Sequence, residues 1–235
     1  MSEEKYIVAT IRPWNLAAYH DKICRLPGSW SLVSAPEELS LEMVREISPR
    51  YIFFPHWSWK VDQAILAASD CVCFHETDLP FGRGGSPIQN LISRGYQNTQ
   101  ISALKMGEGI DEGPIYLKKP LSLEGSAEEI FGRSALLVAD MIAEIIQGNL
   151  TPKEQEGEAT LFKRRQPEQS EITSALDSPQ KLYDHIRMLD APGYPKAFLP
   201  CGEMKMQFTQ GRLLDGKLKA EIEMLPIEPI EKDET

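Results

Sequence analysis

Short apolar runs alternate with amphipathic segments along the first 150 residues. The apolar runs are rich in β-branched and aromatic residues, as strands usually are. They span residues 6–11, 31–34, 51–54, 71–75, 100–106 and 115–119. The segments with helical spacing span residues 16–26, 35–47, 62–69, 87–94 and 126–148. Strands that alternate with helices predict a parallel sheet with crossover helices.

The pattern changes beyond residue 151. A short apolar run at 160–165 ends in a basic cluster, and residues 179–189 have helical spacing. Residues 198–223 alternate between apolar and polar positions, with turn signals at Gln210-Gly211 and Asp215-Gly216. This alternation predicts a small antiparallel unit.

We therefore predict an α/β fold in two parts. Residues 1–150 form a domain with a mostly parallel sheet, and residues 151–225 form a small mixed or antiparallel C-terminal subdomain. The acidic, proline-containing tail at 226–235 is expected to fray.

Composition limits the function classes. The formal net charge of -10 argues against a partner that is nucleic acid, because such proteins present a basic face. The four cysteines lack paired metal-site spacing, so we expect reduced thiols, no metal and a cytoplasmic location. No apolar run approaches the roughly 20 residues that span a bilayer, and the acidic N-terminus does not fit a signal peptide, so we expect no membrane association.

The strongest candidate for chemistry is His75, which ends an apolar run directly before a glycine-rich loop. Binding clefts form beyond the carboxyl ends of strands in open α/β sheets, and an imidazole there can move a proton or stabilise an oxyanion. A core histidine is the competing interpretation. Asp111 follows the next strand, where an aspartate that only bonds its own turn is also common.

Other candidates have equally plain structural interpretations. The aromatic cluster around Trp57 and Trp59 could stack on a flat ring or simply pack under a loop. Arg83 could bind a carboxylate or phosphate, or fix its own loop. The loop glycines indicate close approach of a ligand or a sharp turn. The basic residues 163–165 could meet an anionic group or be a solvated charge run.

Residues 71–116 resemble the 10-formyltetrahydrofolate-dependent formyltransferase family. The family pattern is Asn-x-His-x-Ser-Leu-Leu-Pro, then Arg-Gly-x-x-Pro-Ile after a short gap. It stands here as Cys73-Phe-His75-Glu-Thr77-Asp78-Leu79-Pro80 followed by Arg83-Gly84-Gly-Ser-Pro87-Ile88. The second family signature, Asp-x-Gly, stands as Asp111-Glu-Gly113. Weaker similarity extends to residues 57–66 and 186–198, so the resemblance covers most of the chain.

The resemblance implies a Rossmann-like catalytic domain at 1–150 and 10-formyltetrahydrofolate as cofactor. His75 would stabilise the oxyanion or relay the amine proton, and Asp111 would orient the imidazole. Cys73 replaces the family asparagine, and because a thiol is a poor donor, Thr77 or a water could take over that role. The implied cofactor-binding residues are Trp57, Ser58, Trp59, Val61, Met106, Gly109 and Ile110.

The finer resemblance is to the nucleotide-sugar N-formyltransferases of pseudaminic-acid-type pathways. It implies a UDP-linked amino sugar as acceptor, with no nucleic acid as partner. The implied substrate-binding residues are Thr77, Arg83, Gly84, Lys163, Arg164 and Arg165. Two alternatives stay open: a formylation module acting on a carrier-bound amino acid, and a folate-binding protein without catalysis. A homodimer through the C-terminal unit is also left open.

Overall fold

A computed structural model of the chain describes residues 3–226. Eleven strands are present in this part of the chain: β1 (Lys5–Ala9), β2 (Ser29–Val33), β3 (Tyr51–Phe54), β4 (Asp70–His75), β5 (Arg83–Gly84), β6 (Asn98–Lys105), β7 (Ile115–Ser122), β8 (Leu161–Phe162), β9 (Ala197–Cys201), β10 (Met204–Leu214) and β11 (Lys217–Pro226). The α-helices in the same range are α1 (Pro13–Asp21), α2 (Leu41–Ile47), α3 (Gln63–Ala68), α4 (Pro87–Ile92), α5 (Ala127–Gly148) and α6 (Pro179–Arg187).

The central sheet has six strands in the order β2-β1-β3-β4-β6-β7. The first four strands are mutually parallel, whereas β6 pairs antiparallel with β4, and β7 pairs antiparallel with β6. The prediction of a mostly parallel α/β sheet is therefore confirmed. The carboxyl ends of β1, β3 and β4 lie side by side, which is where ligands bind in folds of this kind.

Two apolar clusters cover the two faces of this sheet. The larger cluster, here called the α5 face, packs α1, α4 and α5 against Val8, Phe53, Val72 and Phe74. The smaller cluster, here called the α2 face, packs α2 and α3 against Ile7, Ile52 and Cys71. Because side chains alternate along a strand, every second residue of β4 belongs to the same face.

The three-stranded sheet β11-β10-β9 is antiparallel, as predicted for the C-terminal unit. Asp215-Gly216 forms the predicted turn between β10 and β11. The turn predicted at Gln210-Gly211 is wrong: both residues lie within β10, where the register with β11 shifts between Thr209 and Arg212. A bulge tolerates the positive φ of Gln210 without ending the strand.

The helix predicted at 35–47 is shorter than expected. Residues Pro36–Glu38 form a separate 3₁₀ turn, and α2 begins only after Ser40, whose hydroxyl accepts the Met43 backbone N–H at 3.1 Å. Serine is a preferred N-cap residue because its hydroxyl accepts an otherwise unpaired backbone N–H of the first turn. The Ser126–Glu129 capping box at the start of α5 is confirmed.

The division of the chain at residue 150 remains a proposal. Pro226 ends β11, and the remainder of the predicted tail, residues 227–235, lies outside the described residues. Within the described residues, no helix is both long and apolar enough to cross a membrane.

Candidate functional site

His75 and Asp111 meet at the carboxyl end of β4. The His75 Nδ1 lies 3.5 Å from Oδ2 of Asp111, and its Nε2 lies 2.8 Å from the Gly82 carbonyl oxygen. A carbonyl oxygen can only accept, so Nε2 is the donor and carries a proton. Asp111 Oδ2 also accepts the Gly84 backbone N–H at 2.9 Å. The imidazole is thus held between a backbone carbonyl and a fixed carboxylate.

Asp111 is placed by an unusual backbone. It lies in the turn between β6 and β7 with a φ of 55°, a left-handed conformation that aspartate tolerates better than most residues. The side chain is mostly buried, with 16% of its surface exposed. The turn therefore directs the carboxylate inward, toward His75 and the glycine loop.

The glycine-rich loop at residues 82–85, here called the glycine loop, packs against residues 160–165. β5 pairs in parallel with β8, and Gly85 N–H donates to the Phe162 carbonyl at 3.1 Å. A Cβ at Gly84, where φ is 101°, would lie 2.5 Å from the Phe162 carbonyl oxygen. A Cβ at Gly85 would lie 2.5 Å from the Cβ of Arg164. The close approach that these glycines permit is to residues 160–165.

Arg83 and Thr77 are both engaged inside the protein. The Arg83 guanidinium donates to Gln155 Oε1 at 2.9 and 3.2 Å and lies 3.3 Å from Glu112. Thr77 has no exposed surface, and its hydroxyl lies 3.5 Å from the Gly82 carbonyl oxygen. Of the two interpretations that the sequence allowed for Arg83, these contacts favour the one in which it fixes its own loop.

Cys73 lies on the α2 face, two residues before His75. Burial, followed by the nearby charge of Asp111, raises the pKa of its thiol well above the usual range. The thiol is therefore neutral near pH 7, in contrast to the thiolates of nucleophilic cysteines.

Three of the residues expected to bind the cofactor lie on the same α2 face as Cys73. Trp57 and Met106 pack against its apolar cluster together with Cys73, and Val61 is buried within it. Trp59 lies edge-to-face with Trp57, with ring centroids 5.0 Å apart, and keeps 43% of its surface exposed. Ile110 is 74% exposed, and Ser58 and Gly109 are exposed as well. Trp57, Val61 and Met106, with Trp59 against Trp57, form an apolar surface here called the apolar rim, and it lies on the same face as Cys73, two residues before His75.

An aromatic cluster on the α5 face was missed by the sequence analysis. Trp14 stacks on Phe131 with centroids 4.7 Å apart, and Phe131 stacks on Tyr194 at 5.2 Å. The Tyr194 hydroxyl lies 3.0 Å from Nε2 of His56. Burial lowers the pKa of His56 to about 3, and the charges of Arg12 and Arg164 act in the same direction. His56 is therefore neutral, and it shares one hydrogen bond with the Tyr194 hydroxyl whose direction is set by the tautomer of the ring.

Two polar atoms just before α1 lack hydrogen-bond partners within residues 3–226, and one of them belongs to Arg12, which contacts this cluster. Arg12 lies over the Tyr194 ring at 5.4 Å, and its buried Nε makes no hydrogen bond within residues 3–226. The buried hydroxyl of Thr10 also lacks a partner in that range. Glu76 is half-buried beside the cluster, with Ser134 Oγ at 3.5 Å from its Oε1. Only its position directly after His75 could have drawn attention to Glu76 in the sequence.

The predicted basic cluster is divided in the structure. Lys163 and Arg164 are exposed, whereas Arg165 is half-buried and donates to the Gln169 carbonyl. Burial lowers the pKa of Arg165. Lys163 and Arg164 thus remain the accessible cations next to the glycine loop.

Titratable side chains in residues 3–226 form no group of three or more that could hold a metal ion. The His75–Asp111 pair offers a ring N–H and a carboxylate held by the Gly84 backbone. The arrangement fits acid–base and electrostatic chemistry by side chains.

Comparison with known proteins gives consistent matches. Residues 167–225 match the family model described as "Methionyl-tRNA formyltransferase, C-terminal domain". The solved structure of a methionyl-tRNA formyltransferase from Clostridium thermocellum is 44% identical, with a TM-score of 0.90, over 95% of this chain and 99% of that one. A 4-N formyltransferase from Francisella tularensis is 14% identical with a TM-score of 0.67, over 97% of this chain and 99% of that one, a likeness of fold alone.

Among curated proteins, a methionyl-tRNA formyltransferase from Halorhodospira halophila is 26% identical over 196 residues. The match covers 79% of this chain and 63% of that protein. The chain thus spans less than two thirds of the length of this curated relative.

Two expectations from the sequence are wrong. The nucleotide-sugar acceptor and the absence of a nucleic-acid partner are both contradicted, because the curated and structural relatives above are methionyl-tRNA formyltransferases. The net charge is a poor guide here because it sums over the whole chain, whereas contact with RNA requires only a local group of cations.

Proposed function

Because this chain belongs to the formyltransferase family, we propose that it transfers a formyl group from 10-formyltetrahydrofolate to the α-amine of a carrier-bound amino acid. The carrier we propose is tRNA, and the acceptor methionyl-tRNA. The observation that carries the proposal is the fixed contact between His75 and Asp111 at the carboxyl end of β4, next to an apolar rim.

The rim fits the cofactor. The pterin of a folate is a flat conjugated ring, and such rings bind well against aromatic and apolar side chains. Trp57 and Met106 supply such surfaces on the α2 face, and Trp59 adds an exposed ring against Trp57. Bound there, the folate would supply the formyl carbon that the acceptor amine attacks.

His75 and Asp111 would handle the charge that develops during transfer. An imidazole with a proton on Nε2 can donate a hydrogen bond to a developing oxyanion. For this, Nε2 would give up its hydrogen bond to the Gly82 carbonyl oxygen. Asp111, held by the Gly84 N–H, would keep the ring oriented and stabilise its positive charge. Cys73 would contribute volume and no charge, since its thiol stays neutral.

The exposed cations support a tRNA partner. Lys163 and Arg164 extend from the segment that pairs with the glycine loop, and Arg12, whose Nε makes no hydrogen bond within residues 3–226, lies next to the aromatic cluster. Contacts between such cations and phosphate groups supply a large share of the affinity for nucleic acids. In this proposal they meet the acceptor end of the tRNA.

A transfer assay tests the proposal. The protein is incubated with 10-formyltetrahydrofolate and methionyl-tRNA, and formylmethionine is measured by mass spectrometry after the ester is hydrolysed. Parallel reactions contain uncharged tRNA, free methionine, and methionine held as a thioester on a peptidyl carrier protein. We expect product from methionyl-tRNA alone. Product from the thioester alone would contradict the tRNA carrier, and no product from any acceptor would contradict the transfer itself.

A further inference from the structure

Glu76 lies between the His75–Asp111 pair and the aromatic cluster. Strand alternation turns its side chain to the α5 face, with Val72 and Phe74, whereas His75 shares the α2 face with Cys71 and Cys73. The contact with Ser134 on α5 agrees with this assignment. The neighbouring residues His75 and Glu76 therefore face opposite sides of the sheet: His75 faces the α2 side with the apolar rim, and Glu76 faces the α5 side.

Glu76 is surrounded by groups of both charge signs. Burial raises the pKa of Glu76, with the charge of His75 opposing the shift and that of Asp111 adding to it. Cys73 and Tyr194 are both close enough to respond to the charge of Glu76. Beyond Tyr194 lie His56, which is neutral, and the cations Arg12 and Arg164. No basic side chain forms an ion pair with Glu76 in residues 3–226.

A half-buried carboxyl without a cationic partner is costly unless it is neutral or receives a cation from elsewhere. The proposed acceptor brings such a cation, because an α-amine has an ordinary pKa of about 7.7–8.0 and is largely protonated at pH 7. That amine must lose a proton before its lone pair can attack a carbonyl carbon. A carboxyl with a raised pKa is well matched to take it.

We propose that Glu76 binds the ammonium group of the acceptor and takes its proton, with Arg12 and the Tyr194 ring holding the rest of the acceptor on the α5 face. This inference rests on the proposed function. In the proton step one N–H bond breaks and one O–H bond forms, which turns the ammonium into an amine and the carboxylate into a carboxylic acid. Overall, acceptor ammonium and formyl donor give formamide, tetrahydrofolate and one proton, and that proton leaves Glu76 for solvent.

The test compares Glu76→Gln with Glu76→Asp and with the control Glu144→Gln on methionyl-tRNA. Glu144 is an exposed α5 residue paired with Lys119, so its variant should match wild type. Glu76→Gln should lower kcat/KM about 10²-fold at pH 7, the lower end of the range for acid–base groups. Its residual rate should rise with pH up to the pKa of the acceptor amine, whereas the wild-type rate should rise at lower pH, as Glu76 ionises. Glu76→Asp, which keeps the carboxylate, should fall between the two.

The outcomes separate the two proposals. No product from wild-type protein would overturn the proposed function and the role of Glu76 with it. An active wild type together with a Glu76→Gln variant of equal rate and equal pH profile would overturn the role of Glu76 alone. Thermal unfolding of each variant identifies loss of fold, and a Glu76→Gln variant that is folded but reduced equally at all pH values would also contradict the proton step.

Discussion

The two faces at the end of β4 differ in how their polar groups are satisfied. On the α2 face, His75 and Asp111 are bonded to the backbone of the glycine loop and to each other. On the α5 face, Arg12 and Glu76 stand among stacked rings without an ion-pair partner in the described part of the chain. The first face is preorganised for charge that develops during a reaction, and the second is suited to a ligand that brings its own charges.

The largest loss of activity is expected when either member of the His75–Asp111 pair is replaced. His75→Ala and Asp111→Asn should each lower formyl transfer about 10³-fold, because the donor to the oxyanion or its orienting carboxylate is lost. Asp78→Asn is the matched control, since Asp78 follows the same strand but is exposed and paired with Lys118. Initial rates on methionyl-tRNA measure the effect. A rate equal to wild type in either site variant would refute the assignment.

The second prediction concerns the backbone that holds the pair. Gly84→Ala should lower the free energy of unfolding by about 1–3 kcal/mol and reduce transfer, because its Cβ would clash with the Phe162 carbonyl and shift the N–H that Asp111 accepts. Gly95→Ala is the control, because Gly95 also has a positive φ of 82° but no atom within 4 Å of its would-be Cβ. Urea titration and rate assays should separate clash from strain. Equal losses in both variants would show that backbone strain alone matters.

A third prediction tests whether the folate and the acceptor bind on different faces of the sheet. Trp59→Ala should raise the KM for the folate about tenfold, because an exposed ring on the α2 rim is lost, and should leave the KM for the acceptor unchanged. Varying each substrate separately gives both values. An effect on the acceptor KM alone would reverse our assignment of the faces.

The smallest effect is expected at Cys73. Its raised pKa keeps the thiol neutral, so Cys73→Asn removes no charge and adds an amide donor. We expect a rate within about threefold of wild type, or above it. Assays between pH 7 and 9 should show no step from this residue. A strong loss of activity would assign the thiol, or its small volume, a role of its own.

The apolar pattern placed His75 at the end of a strand and Asp111 in a turn between two strands, but only the resemblance to the formyltransferase family predicted that the two residues act together. The aromatic cluster could not be predicted in the same way. Trp14, Phe131 and Tyr194 come from three distant segments, and only tertiary packing stacks their rings. Sequence spacing carries no information about such a contact.

Arg83 shows the same limit. A lone arginine in a glycine loop is compatible with an external anion or an internal partner. Its partner Gln155 lies 72 positions away, in a stretch whose sequence predicts no regular element. Strand and helix periodicity predicted the sheet and its helices. It could not predict that residues 155–165 pack against the glycine loop, because the two segments are far apart in the sequence.

The late position of residues 155–165 in the sequence affects the order in which the protein becomes functional. A nascent chain that has left the ribosome only as far as α5 already contains all six strands of the central sheet. It does not yet contain β8, which pairs with Arg83–Gly84, or the Thr160 hydroxyl that accepts the Gly82 N–H. During synthesis, the backbone that fixes His75 and Asp111 is therefore completed only after the sheet that carries them, once residues 155–165 have emerged.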